Sequence, residues 1–478
     1  MKQNKTKPPV VVVLGHVDHG KTTLLDALRQ SNVAKSEFGE ITQHIGAYEI
    51  ISKEKKIITF IDTPGHEAFN TLRSRGAKLA DIALLIVAAD GSVKPQTLEA
   101  LKQIKIFKIS YIVVINKVDL PTANVEKVIK DLNKQEVYLE GRGGEVPYVE
   151  ISAKNGTGLE TLLELISLVA ELKDFTYSPT NPVEGAIIEA KKDRRGVVLT
   201  IVLSNGHLKV GDKVYFGNTE VKIRAMFNDK NEAVKEVYPS TPVEILGSKE
   251  IIPSGTVLSA DQKQVDVQEI AQKQALTEEG WFDQNSTKFN FIIKADAYGT
   301  LEAIEEKFKD FEEIKIISSQ TGELTDADLE LAKTTKSNIL VFNTKVRPPL
   351  LKKAEIEEIN IFQYNLIYEL LDQVEDLIFG LRTRQEKEAR KVGEAKIIAK
   401  FNRENKIIAG IKVITGKVTL SEKAEVLRGK KVLGETTISS LYKKSDPVQE
   451  VGKGEECGAI FTDKIDFRQG DIVKLYIQ

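Results

Sequence analysis

A single cysteine, Cys457, is all that this chain of 478 residues contains. It can therefore form neither an internal disulfide nor a multi-cysteine metal site, which suits a reducing compartment. No run of 18 or more apolar residues is present, and a helix needs about that many to cross a membrane. The opening Met1-Lys2-Gln3-Asn4-Lys5-Thr6-Lys7 leads into a strand-like run instead of the apolar stretch of an export signal. No membrane attachment and a cytoplasmic location are expected. Neither sign of charge is in excess: 68 Lys and Arg stand against 70 Asp and Glu, a net of −2, too balanced for a protein that coats nucleic acid. Histidine is scarce as well, and three of the five lie in two short stretches that carry most of the functional signal.

The first stretch is Gly15-His16-Val17-Asp18-His19-Gly20-Lys21-Thr22, with Thr23 following. Glycines at its ends let backbone N–H groups turn inward around phosphates. The Lys21 ammonium reaches the β- and γ-phosphate oxygens, and the Thr22 hydroxyl is placed to ligate Mg²⁺. The context fits a phosphate loop, since residues 10–14 read as a buried strand entering it and residues 23–28 as a helix leaving it. His16 and His19 are read as shaping the loop.

The base is specified further along, by Asn116-Lys117-Val118-Asp119 and Ser152-Ala153-Lys154, each following a strand-like run. A buried carboxylate at Asp119 would accept from both N1–H and the exocyclic amine of guanine. Adenine would leave it unpaired, so GTP is expected and not ATP. Asn116 is expected to tie this segment to the phosphate loop, the Lys117 stem to cover the base, and the Ala153 N–H to meet guanine O6. In the second histidine-bearing stretch, Asp62-Thr63-Pro64-Gly65-His66, Asp62 ends a strand where a carboxylate can hold a Mg²⁺-bound water. Gly65 lets a backbone N–H approach the γ-phosphate closely. His66 follows, where a side chain can orient the attacking water, and is read as the catalytic residue. His207, in the turn Ser204-Asn205-Gly206-His207, is read as merely exposed.

Together with Glu40-Ile41-Thr42-Gln43-His44-Ile45-Gly46-Ala47-Tyr48, these motifs resemble those of translational GTPases. The 41–48 segment is similar to that of the bacterial translation initiation factor 2 family, and the similarity runs from residue 8 to residue 478. The resemblance implies that Thr42 is the switch threonine joining Mg²⁺ and γ-phosphate, so that Thr22, Thr42 and Asp62 are the metal residues. It implies too that Val17 and Ile41 form a hydrophobic pair gating His66. The implied cofactors are GTP/GDP and Mg²⁺, and the implied activity is ribosome-stimulated GTP hydrolysis. Implied partners are the small and then the large ribosomal subunit, formylmethionyl initiator tRNA and the other initiation factors, with the factor itself a monomer. Many family members carry a long region before the phosphate loop, whereas some fourteen residues precede Gly15 here; a minimal version of the factor is expected.

The expected fold class is α/β plus β. A GTP-binding domain (8–176) ends at Ser178-Pro179-Thr180-Asn181-Pro182, after an amphipathic helix over 159–172. Short alternating strands with glycine turns then give a β-barrel (182–262). Residues 263–286, with an uninformative Trp281, read as a polar linker. Strand and helix alternate from Phe289, with helices over 300–311, 326–334 and 352–358, giving an α/β sandwich (287–362) on a mostly parallel sheet. A connecting helix (363–392) is apolar on one face in its first half and polar all round in its second, with Gly380 as a possible break. A second β-barrel (393–478) closes the chain.

Residues 287–383 carry a net −6 and residues 384–478 a net +6, so an RNA-facing surface is sought in the last segment. By the resemblance, the final barrel recognises the formylmethionyl end of initiator tRNA. Gly454-Glu455-Glu456-Cys457-Gly458 matches the family's Glu-Cys-Gly signature, and Lys443, Lys444, Glu456, Cys457 and Gly458 are the implied tRNA contacts. Two departures stand out: in Ser440-Leu441-Tyr442-Lys443-Lys444 the aromatic residue precedes the basic pair instead of following it, and Ile411 stands where many members carry a second cysteine. The alternatives are an elongation-type GTPase delivering aminoacyl-tRNA, which the α/β domain between the barrels argues against, and a GTP-dependent ribosome-assembly or scaffold protein without tRNA cargo. The Glu-Cys-Gly signature favours the bacterial type of factor over its archaeal or eukaryotic cousins.

Overall fold

The computed structural model of the chain describes residues 5–29, 45–64, 69–261, 289–389, 391–403, 406–429, 431–444 and 446–476. The chain forms two compact units, Met1–Glu369 and Leu370–Gln478.

In the first unit, a six-stranded sheet runs in the order Gly46–Ile51, Ile57–Asp62, Val10–Gly15, Ile82–Ala88, Ser110–Asn116, Tyr148–Glu150. All neighbours are parallel except the edge strand Gly46–Ile51. Every residue of Val10–Gly15 and of Ile82–Ala88 is buried, as strands covered by helices on both faces require. Because Val10–Gly15 has neighbours on both sides that come later in sequence, its carboxyl end is a topological switch point, where such sheets bind ligands.

The first β-barrel is an antiparallel sheet of eight strands built around the long hairpin Glu184–Asp193 and Gly196–Asn205. It encloses a core that includes Ile187, Leu199, Val214, Phe216 and Ile245. His207 in this module is half-buried, not merely exposed: its Nδ1 lies 2.9 Å from the Pro179 carbonyl, and its ring stacks on Tyr238.

The α/β module has four strands, all parallel, ordered Ile314–Thr321, Phe289–Ala295, Asn338–Phe342, Ile361–Tyr364. The last strand corrects the sequence reading, because it crosses the expected 362/363 boundary. Its helices are Tyr298–Phe308, Asp326–Thr335 and Pro348–Ile356. The third starts four residues before the expected 352, since Pro348 opens it at a position where a missing N–H costs nothing. The second is held by a Thr325–Asp328 capping box.

The three modules interlock through named side chains. Glu189 of the barrel accepts from the Gly299 N–H at 3.2 Å, Ser240 donates to the Pro8 carbonyl at 2.6 Å, and Arg75 pairs with Glu302 at 2.5 Å. Helix Ile367–Ala389 follows, and its backbone continues unbroken through Gly380.

In the second unit, strands Lys391–Arg403, Ile472–Tyr476, Lys423–Arg428, Lys431–Lys443, Glu456–Phe461 and Lys406–Thr419 pair in turn. The last pairs back with the first, closing a barrel. Closure leaves none of these six with an unpaired edge. Among the described residues, no helix is long and apolar enough to cross a membrane.

Candidate functional site

The phosphate loop joins strand Val10–Gly15 to helix Lys21–Arg29, so its N–H groups stand at a helix N-terminus, a natural anion site. Gly20 has φ +86°, and a Cβ there would lie 2.3 Å from Asn116 Nδ2, so only glycine fits. Lys21 is buried and donates to the Gly15 and His16 carbonyls at 3.0 and 2.8 Å. Burial pushes its pKa down from 10.5 to about 8, against the opposing pull of Asp62.

His19 is buried with Nδ1 3.3 Å from the Ile86 carbonyl, and burial lowers its pKa to about 4, so the ring is neutral at pH 7. The His16 ring meets it edge-on at 5.1 Å. Both histidines thus shape the loop from within. Val17 is half-buried and donates its N–H to Gln96 at 2.9 Å, while Asp18 is exposed with φ 63°.

Asn116 is the clamp of the base side. Its Nδ2 donates to the His19 carbonyl at 2.9 Å, and its Oδ1 accepts from the Ala153 N–H at 3.0 Å. One buried amide therefore fastens the phosphate loop to both base-reading segments, and Val118 adds a backbone bond to Ile151 at 3.3 Å. Two expectations change here. The Ala153 N–H is given to Asn116, which competes for the donor assigned to guanine O6. Asp119 is exposed, not buried; its strand-end loop leaves the carboxylate in solvent. Lys117 has φ 64°, and its ammonium lies 3.5 Å from Asp90. Ser152 is buried, its Oγ accepting from the Asn155 N–H at 3.2 Å, and Lys154 is exposed.

Of the residues expected around the metal, Thr22 is half-buried and Asp62 buried, and Thr23 beside them is exposed. Thr22 and Asp62 line one cavity of about 470 Å³, which Glu189 and Asp296 also line. Thr63 is fully buried and donates to the Val13 carbonyl at 2.7 Å, and the Pro64 carbonyl accepts from Arg73 at 3.3 Å. Thr42, Gly65 and His66, together with Ile41 and the 263–286 linker, lie outside the described residues. Sequence reasoning missed Gln96 and Arg73. Gln96 reaches Val17 from 79 residues away and Arg73 reaches Pro64 from 9 residues on, in helix Asn70–Leu79, and no local motif marks either.

Residues 7–171 match the family model described as the elongation factor Tu GTP binding domain, residues 182–261 that of elongation factor G domain 2, and residues 260–375 that of translation-initiation factor 2. Translation initiation factor IF-2 of Thermoanaerobacter sp. is 39% identical over 99% of this chain and 72% of its own length. The chain belongs to the translation initiation factor IF-2 family. IF-2 of Carboxydothermus hydrogenoformans is 40% identical over 98% of this chain and 59% of its own length, and IF-2 of Aquifex aeolicus 39% over 98% and 61%. The chain thus spans about three fifths of the length of these two IF-2 relatives. The crystal structure of GDP-bound aIF5B from Aeropyrum pernix is similar at 25% identity and a TM-score of 0.50, covering 99% of this chain and 92% of that one.

The residues singled out in the closing barrel gather on three neighbouring strands. Cys457 pairs across strands with Ile411, and Gly458 with both Gly410 and Tyr442. Cys457 and Ile411 point into the core, and burial pushes the thiol pKa up to about 11. Cys457 is therefore a core residue of the barrel wall, not an exposed contact. Lys443 pairs with Glu455 at 2.7 Å and Lys412 with Glu456 at 3.3 Å, while Lys444 is exposed with φ 59°.

Proposed function

We propose that this chain is a GTP-hydrolysing translation initiation factor that promotes binding of formylmethionyl initiator tRNA to the small ribosomal subunit and then subunit joining. The observation that carries the nucleotide part is the Asn116 clamp, which links the phosphate loop and both base-reading segments through one buried amide. Membership of the IF-2 family carries the rest.

Lys21 holds two loop carbonyls and would exchange them for β- and γ-phosphate oxygens, whose charge restores its preference for the protonated form. Asp119, exposed at the loop end, is free to meet the guanine edge. Thr22 and Asp62, walls of one cavity, are a hydroxyl and a carboxylate that fit Mg²⁺, with Thr42 joining them. Mg²⁺ held there would neutralise charge on the phosphate oxygens. His66 is assigned the orientation of the attacking water, GTP the ordering of the Thr42 segment, and hydrolysis the release of the factor. Lys443, Lys444, Glu456 and Gly458 are assigned to the tRNA, with Cys457 in the core of the barrel wall that carries them.

His66→Ala tests the catalytic part. Nucleotide affinity is expected to stay within a few-fold while ribosome-stimulated turnover falls by at least about 10²-fold. Unchanged stimulated turnover would remove His66 from the mechanism.

A further inference from the structure

We propose that Arg73 is a positioning residue for GTP hydrolysis, fixing the Asp62-Thr63-Pro64 strand end against helix Asn70–Leu79; the inference rests on the GTPase reading above. Arg73 is 1% exposed. Burying a guanidinium is costly unless its donors are matched by well-placed acceptors. Here Nη1 donates to the Pro64 carbonyl at 3.3 Å, and Nη2 meets Glu99 Oε2 of helix Pro95–Phe107 at 3.0 Å.

One turn further on, a Cβ at Gly76 would come within 2.8 Å of Thr63 Cγ2 and 3.3 Å of Val12 Cγ2. Residues three apart share a helix face, so this face lies directly on the strand end. Thr63 is tied down from the other side by its bond to the Val13 carbonyl. The segment carrying Asp62 into the nucleotide cavity is thus gripped at consecutive residues, Thr63 from the sheet and Pro64 from Arg73.

The planar fork explains why arginine stands there: it spans two acceptors on different elements, which one lysine ammonium cannot do at the same reach. Arg75, two residues on, turns instead to Glu302 of the α/β module.

The competing role is a plain helix-to-helix tie through Glu99, and three variants of the full chain separate the two. Arg73→Gln is expected to lower ribosome-stimulated turnover at saturating GTP at least about tenfold, as small misplacements of reacting groups do, with GDP affinity held within about threefold. Arg73→Lys should recover part of the loss. Glu99→Gln leaves the Pro64 bond in place and should stay within about twofold of wild type. Glu99→Gln costing as much as Arg73→Gln would overturn the proposal, as would equal losses of affinity and turnover in Arg73→Gln.

Amide hydrogen exchange of peptides covering residues 60–64 in the nucleotide-free protein gives a readout independent of activity. Exchange there should be faster in Arg73→Gln and Arg73→Lys and unchanged in Glu99→Gln, and exchange equal to wild type in both Arg73 variants overturns the proposal. Should Arg73→Gln not fold, the Lys and Glu99 variants decide. A wild-type protein inert toward GTP on ribosomes would refute the function, while the exchange measurement still judges Arg73.

Discussion

Lys21 and His19 are bases held at the phosphate loop in conditions that disfavour their charged forms. Lys21 has a folded pKa of about 8 against an ordinary 10.5, and His19 about 4 against 6.5, with burial the leading cause for both. In each case the unfolded chain binds more protons between the two values, so stability rises with pH across that window. The Lys21 penalty is fully present below about pH 8 and relieved as pH approaches 10.5. Lys21→Met should therefore stabilise the nucleotide-free protein at pH 7 by up to roughly 3 kcal/mol, with the gap from wild type closing by pH 10 in denaturant titrations, while nucleotide binding is lost. A gap that is the same at both pH values would contradict the assignment.

Base choice belongs at this scale too. Asp119→Asn should weaken GTP by about 1.5–3 kcal/mol, the value of a charge-assisted hydrogen bond, and improve xanthosine triphosphate, whose C2 carbonyl replaces the amine. Binding of both nucleotides as in wild type would reject the base-pocket assignment.

At the scale of elements, helix Asn70–Leu79 lies against the sheet where Gly76 faces Thr63 and Val12. Gly76→Ala should cost about 1–3 kcal/mol by overpacking, read as a lowered denaturation midpoint. The phosphate loop, the Asn116 tie and the alternation of modules were legible in sequence because each is a local pattern: a glycine spacing, a motif after an apolar run, a change of hydrophobic period. Strand Ile361–Tyr364 was not, since four residues with Gln363 exposed carry no clear alternation, and it becomes a strand only beside Asn338–Phe342. Gln96 and Arg73 escaped notice because their partners Val17 and Pro64 are 79 and 9 residues away. The burial expected for Asp119, and the free N–H expected for Ala153, depended on neighbours that no motif specifies. Cys457 makes a further check on the closing barrel: with a buried thiol held near pKa 11, it should react with a thiol reagent at pH 8 only after unfolding. Rapid labelling of the folded protein would show that the wall is open there.

For the whole molecule, the six strands of the closed barrel all fall within residues 391–476 and share one core. Residues 388–478 alone should fold, because about 90 residues suffice for a small core, and circular dichroism with a cooperative melt checks this. The charge of the chain is near balance as a whole and positive only in its last segment, so tRNA binding should weaken as salt rises through counterion release. The central claim, a GTPase of initiation that carries formylated cargo, is tested most directly by filter binding of the full chain to initiator Met-tRNA with and without the formyl group. Clear preference for the formylated form, with affinity falling as salt rises, is the expected result. Equal binding of the two forms, or binding of neither by a protein that still hydrolyses GTP on ribosomes, would contradict it.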